Sequence, residues 1–267
     1  MGISSCSPIG IFDSGIGGLL IAKEIKNYMP NECIIYFGDT KNMPYGNKSK
    51  DFIRNHSMKI ASFLYEKKCK AIVIACNSIV SNALDVIQEK FLKKILIFNV
   101  IEPIVKNKVL ISSKKIGIMA TPATIHSNFY QRNIKKYCPH LDIVQISTPL
   151  LATIIENGFE KKKINFLIRN YFQSIEIDTL LLACTHYLFL KKEIDNFFHG
   201  KVRLIDIQKI VVQEIKKKLY ENNLLCLHSK GNNHSIFYTS SSISPFFNEQ
   251  IKILFGKLVK RHIFNFF

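Results

Sequence analysis

The chain has seven cysteines, at positions 6, 33, 69, 76, 138, 184 and 226, yet no two form a C-x-x-C pair. An odd total without paired spacing argues against a closed disulfide framework, and no cluster of ligand residues suggests a metal. Apolar runs long enough to span a bilayer are also missing, because Asn99, Glu102 and Pro103 interrupt the longest candidate after Ile95. The opening residues, Met1 to Pro8, have neither a basic region nor an apolar core, and Cys6 stands where a myristoylation signal requires Ser or Thr. A soluble cytoplasmic protein is the expectation. Arginine is scarce as well: only five (54, 132, 169, 203 and 261) sit among 37 basic residues, although the net charge is +17. Recognition of phosphates and base edges favours the Arg fork, so scattered lysines such as 161–163 and 216–218 read as a solvated surface and no nucleic-acid partner is expected.

What the sequence does contain is a repeat. Ala71-Ile-Val-Ile-Ala-Cys-Asn-Ser78 and Thr179-Leu-Leu-Leu-Ala-Cys-Thr-His186 are both apolar runs that end in Ala-Cys and small polar residues. A continuous apolar run followed by helical periodicity reads as a buried parallel strand, whose carboxyl end faces the crevice where open α/β sheets bind ligands. Cys76 and Cys184 lie 108 residues apart, and a second matched pair of strands, 9–12 and 116–119, lies 107 apart. The two spacings imply a duplicated half.

The first half reads as strand 9–12, a turn Asp13-Ser-Gly-Ile-Gly-Gly18, and a helix with Leu19, Leu20, Ala22, Ile25 and Met29 on its apolar stripe. The turn is not a dinucleotide fingerprint, since position 20 is Leu20 where G-x-G-x-x-G needs Gly. Asp13 and Ser14 are suited to helix capping, which does not exclude a functional role. Strand 33–37, a long loop from Gly38 to Gly46, a helix from Ser49 to Lys68, strand 71–75, a helix to Phe91 and strand 95–98 follow. The second half repeats this order: strand 116–119, a helix to Tyr137, strand 142–146, helices near 149–158 and 161–174, strand 179–183 and another helix. After 203–205 come a helix to Leu219, a strand at 236–239 and a final helix near 245–259, expected to pack back on the first half. The β-α alternation implies doubly wound parallel sheets. By pattern, the first α/β domain comprises 1–98 plus 206–267, and the second 99–205.

If an approximate two-fold axis relates the halves, the two strand ends face one another across a cleft. One thiolate can then take a proton from a carbon while the opposite thiol donates one to its other face, inverting the centre. Free Cys has a pKa of about 8.5 and a helix amino terminus favours its thiolate. Asn77, Ser78, Thr185, Ser14 and nearby backbone N–H groups are suitable donors for the charge that develops.

These residues resemble the glutamate racemase family, cofactor-independent members of the aspartate/glutamate racemases. The likeness runs through Ile9 to Gly18, Tyr36 to Thr40, Pro44-Tyr-Gly46, Ala75-Cys-Asn77, Ile101-Glu-Pro103, Ala120 to Ile125, Pro149 to Gly158 and Cys184-Thr-His-Tyr187. It implies two flavodoxin-like domains of parallel sheets with the site between them, no cofactor or metal, and glutamate as the small-molecule substrate. D-Glutamate for peptidoglycan synthesis would be the product, and a homodimer is compatible with the family. By the same resemblance Cys76 and Cys184 are the acid/base thiols, with Asp13 assisting Cys76 and with Glu156 and His186 beside Cys184. Asp13, Ser14, Tyr45, Gly46, Asn77, Ser78, Thr185 and His186 would line the substrate. Three positions depart from the family pattern: Ser78 replaces Thr, Leu188 replaces Pro and Ile104 replaces Gly. The same residues leave two alternatives, an aspartate racemase-like enzyme and, from a different class, a basic protein that binds nucleic acid or gyrase.

Overall fold

The computed structural model describes residues 3–91, 93–228, 235–256 and 259–266. Its first sheet contains β1 (Ile9–Asp13), β2 (Ile34–Gly38), β3 (Ala71–Ile74) and β4 (Leu96–Asn99). The second contains β5 (Lys115–Ala120), β6 (Asp142–Ser147), β7 (Thr179–Ala183) and β8 (Arg203–Leu204), after which β9 (Ile236–Thr239) and β10 (Lys260–Ile263) rejoin the first. Strand order is β10-β9-β2-β1-β3-β4 in one sheet and β6-β5-β7-β8 in the other, and every pairing is parallel. Removing the two late strands leaves the same 2-1-3-4 order twice, the flavodoxin-like winding. Registers match too: Ile9 lies opposite Ala71 in one sheet and Ile116 opposite Thr179 in the other.

Central strands β1, β2, β3 and β7 are buried along their whole length, which explains their unbroken apolar sequences. Helices cover the sheets. Helix α1 (Gly18–Tyr28) buries Leu19, Ile21, Ala22 and Ile25, so Ile21 takes the place expected of Leu20. Positions 18, 21, 22 and 25 form one helical stripe and Leu20 falls on its flank. Helix α2 (Lys50–Glu66) starts at Ser49, whose hydroxyl accepts from the Phe52 N–H, as the sequence suggests. Helices α3 (Asn77–Phe91) and α4 (Glu102–Val105) complete the first repeat and its exit.

In the second repeat the expected single helix to Tyr137 is two, α5 (Pro122–His126) and α6 (Phe129–Tyr137), broken where Asn128 adopts the left-handed conformation at φ 53°. Asparagine tolerates that region better than most residues. Helices α7 (Leu151–Glu156) and α8 (Lys161–Phe172) precede β7. A 3₁₀ turn over Thr185–Leu190 then replaces the start of the expected helix, and α9 (Lys191–Phe198) begins only after it. Helix α10 (Ile207–Glu221) packs on α1 of the first repeat. Helix α11 (Pro245–Phe255) ends at Gly256, short of the expected 259; positions 257 and 258 of that expectation lie outside the described residues, as do Met1 and Gly2. β10 adds an edge strand that the sequence reading lacks. Behind it Phe264 and Phe266 pack on Phe63, with ring centroids 4.5 and 6.0 Å away.

Candidate active site

Both cysteines stand at carboxyl strand ends, Cys76 two residues beyond β3 and Cys184 directly after β7. They are 5% and 6% exposed, so charge at either sulfur is weakly screened. Cys76 occupies the amino-terminal cap of α3, where its carbonyl accepts from the Val80 N–H at 3.0 Å. Its thiol donates to Ser14 Oγ at 3.7 Å, and Ser14 donates in turn to Asp13 Oδ1 at 3.5 Å. Burial raises the Cys76 pKa strongly and the Asp13 carboxylate adds to the rise, while the Ile79 N–H and Ser14 oppose it. Asp13 therefore reaches Cys76 through Ser14, with no direct hydrogen bond to the sulfur.

Around Cys184 the order of contacts is sulfur, imidazole, carboxylate. Cys184 Sγ lies 3.6 Å from His186 Nδ1, and His186 Nε2 lies 2.5 Å from Glu156 Oε1. That oxygen also accepts from the Ile16 N–H at 2.8 Å, tying the dyad to the β1–α1 turn of the other lobe. Burial alone would lower the His186 pKa, but the Glu156 carboxylate and the Cys184 sulfur outweigh it and hold the imidazole well above its ordinary value. Glu156 thus touches His186 and does not contact the sulfur itself.

The lobes also meet at the β1–α1 turn. Asp13 Oδ1 accepts from the Gly15 N–H at 2.9 Å and Oδ2 from Thr185 Oγ1 at 3.0 Å. Burial raises its pKa, against the lowering effect of His186 and these donors. Neither Asp13 nor Ser14 caps α1, whose cap position is Gly17 without a side-chain bond. Glycine is required here by close approach. A Cβ on Gly15 would stand 1.7 Å from Glu156 Oε1, and one on Gly17 2.4 Å from Thr185 Oγ1.

The β3 side is lined by hydroxyls and an amide. Ser78 Oγ lies 2.9 Å from Thr121 Oγ1 and 3.4 Å from Thr124 Oγ1, joining α3 to α5 across the lobes. Asn77 Oδ1 accepts from the Tyr130 phenol at 2.6 Å. Tyr45 is fully buried, and its phenol is committed to Asp39, which Ser240 also bonds at 2.5 Å. Gly46 packs against Thr121. Hydrogen bonds therefore link Cys76, Ser14, Asp13 and Thr185 in one chain and Cys184, His186 and Glu156 in another, while Asn77 and Ser78 bond to side chains of the other lobe. Thr121, Thr124, Asp39 and Tyr130 join them; the first two lie within the Ala120 to Ile125 motif and Asp39 within Tyr36 to Thr40, which was their available signal. Among the described residues no group of three or more His, Cys, Asp or Glu is placed to hold a metal.

Two buried thiols, each backed by a separate acid/base chain, suit proton removal from one face of a carbon and delivery to the other. Comparison with known proteins agrees with that chemistry. The family model described as Asp/Glu/Hydantoin racemase matches residues 21–215. A glutamate racemase from Geobacter metallireducens is 35% identical over 255 residues, covering 94% of this chain and 93% of that one. The crystal structure of glutamate racemase from Francisella tularensis in complex with D-glutamate superposes with a TM-score of 0.88 at 35% identity, covering 98% of both chains. That of a Bacillus anthracis glutamate racemase isoform gives 0.87 at 29% identity, over 97% of this chain and 98% of that one.

Proposed function

Since the chain belongs to the Asp/Glu/Hydantoin racemase family, we propose that it is a glutamate racemase that interconverts L- and D-glutamate with Cys76 and Cys184 as its two bases. The observation that carries this reading is the matched placement of the two thiols at the ends of β3 and β7.

In the D-to-L direction the Cys76 thiolate removes the α-proton and the Cys184 thiol returns one to the opposite face; in the L-to-D direction the roles exchange. Burial disfavours the Cys76 thiolate, so the substrate must help to create it. A substrate ammonium about 4 Å from the sulfur attracts its charge by about 4 kcal/mol at an effective dielectric of about 20, or about 3 pKa units. Ser14 and Asp13 relay the proton on the Cys76 side. On the Cys184 side His186, held protonated by Glu156, stabilises the thiolate and replenishes the thiol. Asn77, Ser78, Thr185 and the backbone around Tyr45 and Gly46 hold the carboxylates and stabilise the charge that spreads onto the α-carboxylate as the proton leaves.

The reading places the enzyme in the cytoplasm, supplying D-glutamate to peptidoglycan precursors. It also places the lobe boundaries at 98 and 205, with α10 and β9 returning to the first sheet in support. A homodimer is kept within the proposal. The test is to incubate purified protein without pyridoxal phosphate with each enantiomer of glutamate and of aspartate. Loss of optical activity with glutamate alone supports the reading; turnover of aspartate, or of neither, overturns it.

A further inference from the structure

Asn77 and Thr185 hold matched positions, each following one of the two cysteines, and a side chain from the opposite lobe clamps each of them. Thr185 Oγ1 donates to Asp13 Oδ2 at 3.0 Å, and Tyr130 on α6 donates to Asn77 Oδ1 at 2.6 Å. The clamp from Asp13 serves a residue already tied to the chemistry. The one from Tyr130 has no such role assigned, although Tyr130 is 2% exposed and reaches from α6 to α3.

A primary amide has two similar ends, and nothing in its shape decides which one faces a ligand. Here the phenol decides it. Burial and the nearby Cys184 sulfur raise the Tyr130 pKa, so the phenol keeps its proton and donates. With Oδ1 taken, Asn77 Nδ2 is left buried and without a hydrogen-bond partner among the described residues. An unmatched buried N–H costs about 1–3 kcal/mol, a penalty that a bound acceptor would remove. Asn77 opens α3 directly after Cys76, so on the racemase reading that acceptor would belong to the substrate.

We propose that Tyr130 is a positioning residue that fixes the flip of the Asn77 amide, so that Nδ2 donates to a carboxylate oxygen of the amino-acid substrate. The proposal rests on the racemase reading above. It predicts a particular kinetic pattern, because enantiomers have equal free energy and kcat/KM must therefore be identical in the two directions in every variant. An Asn77 that flips freely weakens binding of ground state and transition state alike. KM should then rise for both enantiomers while kcat changes little.

The experiment compares the parent protein with Tyr130→Phe, Asn77→Ala and the double variant, in steady-state racemisation from each enantiomer and in calorimetric titration with D-glutamate. Tyr130→Phe should lower kcat/KM about 10-fold, chiefly through KM, and weaken binding by a similar factor, in line with the loss of one well-made hydrogen bond. The double variant should be no worse than Asn77→Ala, since Tyr130 acts only through that amide. If the two losses multiply, or if Tyr130→Phe lowers kcat at constant KM, Tyr130 does something else and the proposal falls. A parent protein that binds and racemises glutamate while Tyr130→Phe matches it overturns the positioning role alone. A parent that neither binds nor racemises glutamate overturns both readings.

Discussion

Replacing Glu156 by Gln removes the anion from the His186–Glu156 pair while keeping its size. Both side chains are 2% exposed and 2.5 Å apart, so the loss is felt in a poorly screened interior. Breaking a buried pair costs about 3–5 kcal/mol, and because Gln still offers an acceptor to the Ile16 N–H we expect about 3 kcal/mol. For a chain of this size that lowers Tm by roughly 6–12 °C. The pH dependence separates this cause from simple misfit. In the native protein the His186 pKa lies above its ordinary value, so its contribution to stability is complete below the unfolded value of about 6.5 and fades as pH rises through the native value. The variant lacks the carboxylate, and burial then drives the imidazole towards its neutral form. Urea denaturation of both proteins at about pH 6 and about pH 9.5 should therefore show a gap in stability that is largest at the lower pH and shrinks at the higher. In the same variant kcat/KM should fall about 100-fold in both directions, because Cys184 has lost its protonated partner. A gap that is constant or grows with pH would refute the reasoning.

Gly15→Ala should abolish most activity, since its Cβ would stand 1.7 Å from Glu156 Oε1, whereas Gly200→Ala, in open space at φ +71°, should cost only about 1 kcal/mol of stability and leave turnover intact; equal turnover in the two variants would contradict this. Lys70→Met breaks a pair with Glu32 whose side chains are 0% and 1% exposed and should cost about 3–5 kcal/mol in denaturant titration, while replacing both partners by apolar residues should recover much of it. Any binding to duplex DNA should be weak and collapse between about 50 and 200 mM salt in a titration, because scattered lysines offer counterion release alone. Sequence-dependent binding that survives the higher salt would overturn that view.

The sheets were legible because β1, β3, β5 and β7 are buried on both faces, which requires uninterrupted apolar runs, and because the duplicated spacing repeats that requirement. β10 was hidden for the opposite reason: Lys260-Arg-His-Ile263 is an exposed edge, so its strand character comes from pairing with β9 and not from composition. The break at Asn128 depends on one left-handed residue inside an otherwise helical pattern. The placement of Cys76 and Cys184 at carboxyl strand ends was legible because each follows an apolar run. Tyr130 was missed because a tyrosine on an amphipathic helix reads as core, and only the fold brings its phenol to Asn77, 53 residues away in sequence. The relay from Asp13 to Cys76 through Ser14, and from Glu156 to Cys184 through His186, likewise needs side-chain geometry that spacing does not carry.

In the two-base mechanism proposed above, Cys76 and Cys184 serve opposite faces of one carbon. A glutamate analogue whose β-substituent leaves after α-deprotonation needs only one base, so elimination from each enantiomer reports on one thiol at a time. Cys76→Ser and Cys184→Ser should each lose glutamate racemisation by orders of magnitude, because an alcohol of far higher pKa replaces a thiol. Cys184→Ser should still eliminate from the D-analogue, which Cys76 serves, and Cys76→Ser from the L-analogue, which Cys184 serves. Racemisation of glutamate at the parental rate by either variant, or elimination from the same enantiomer by both, would contradict the two-base account.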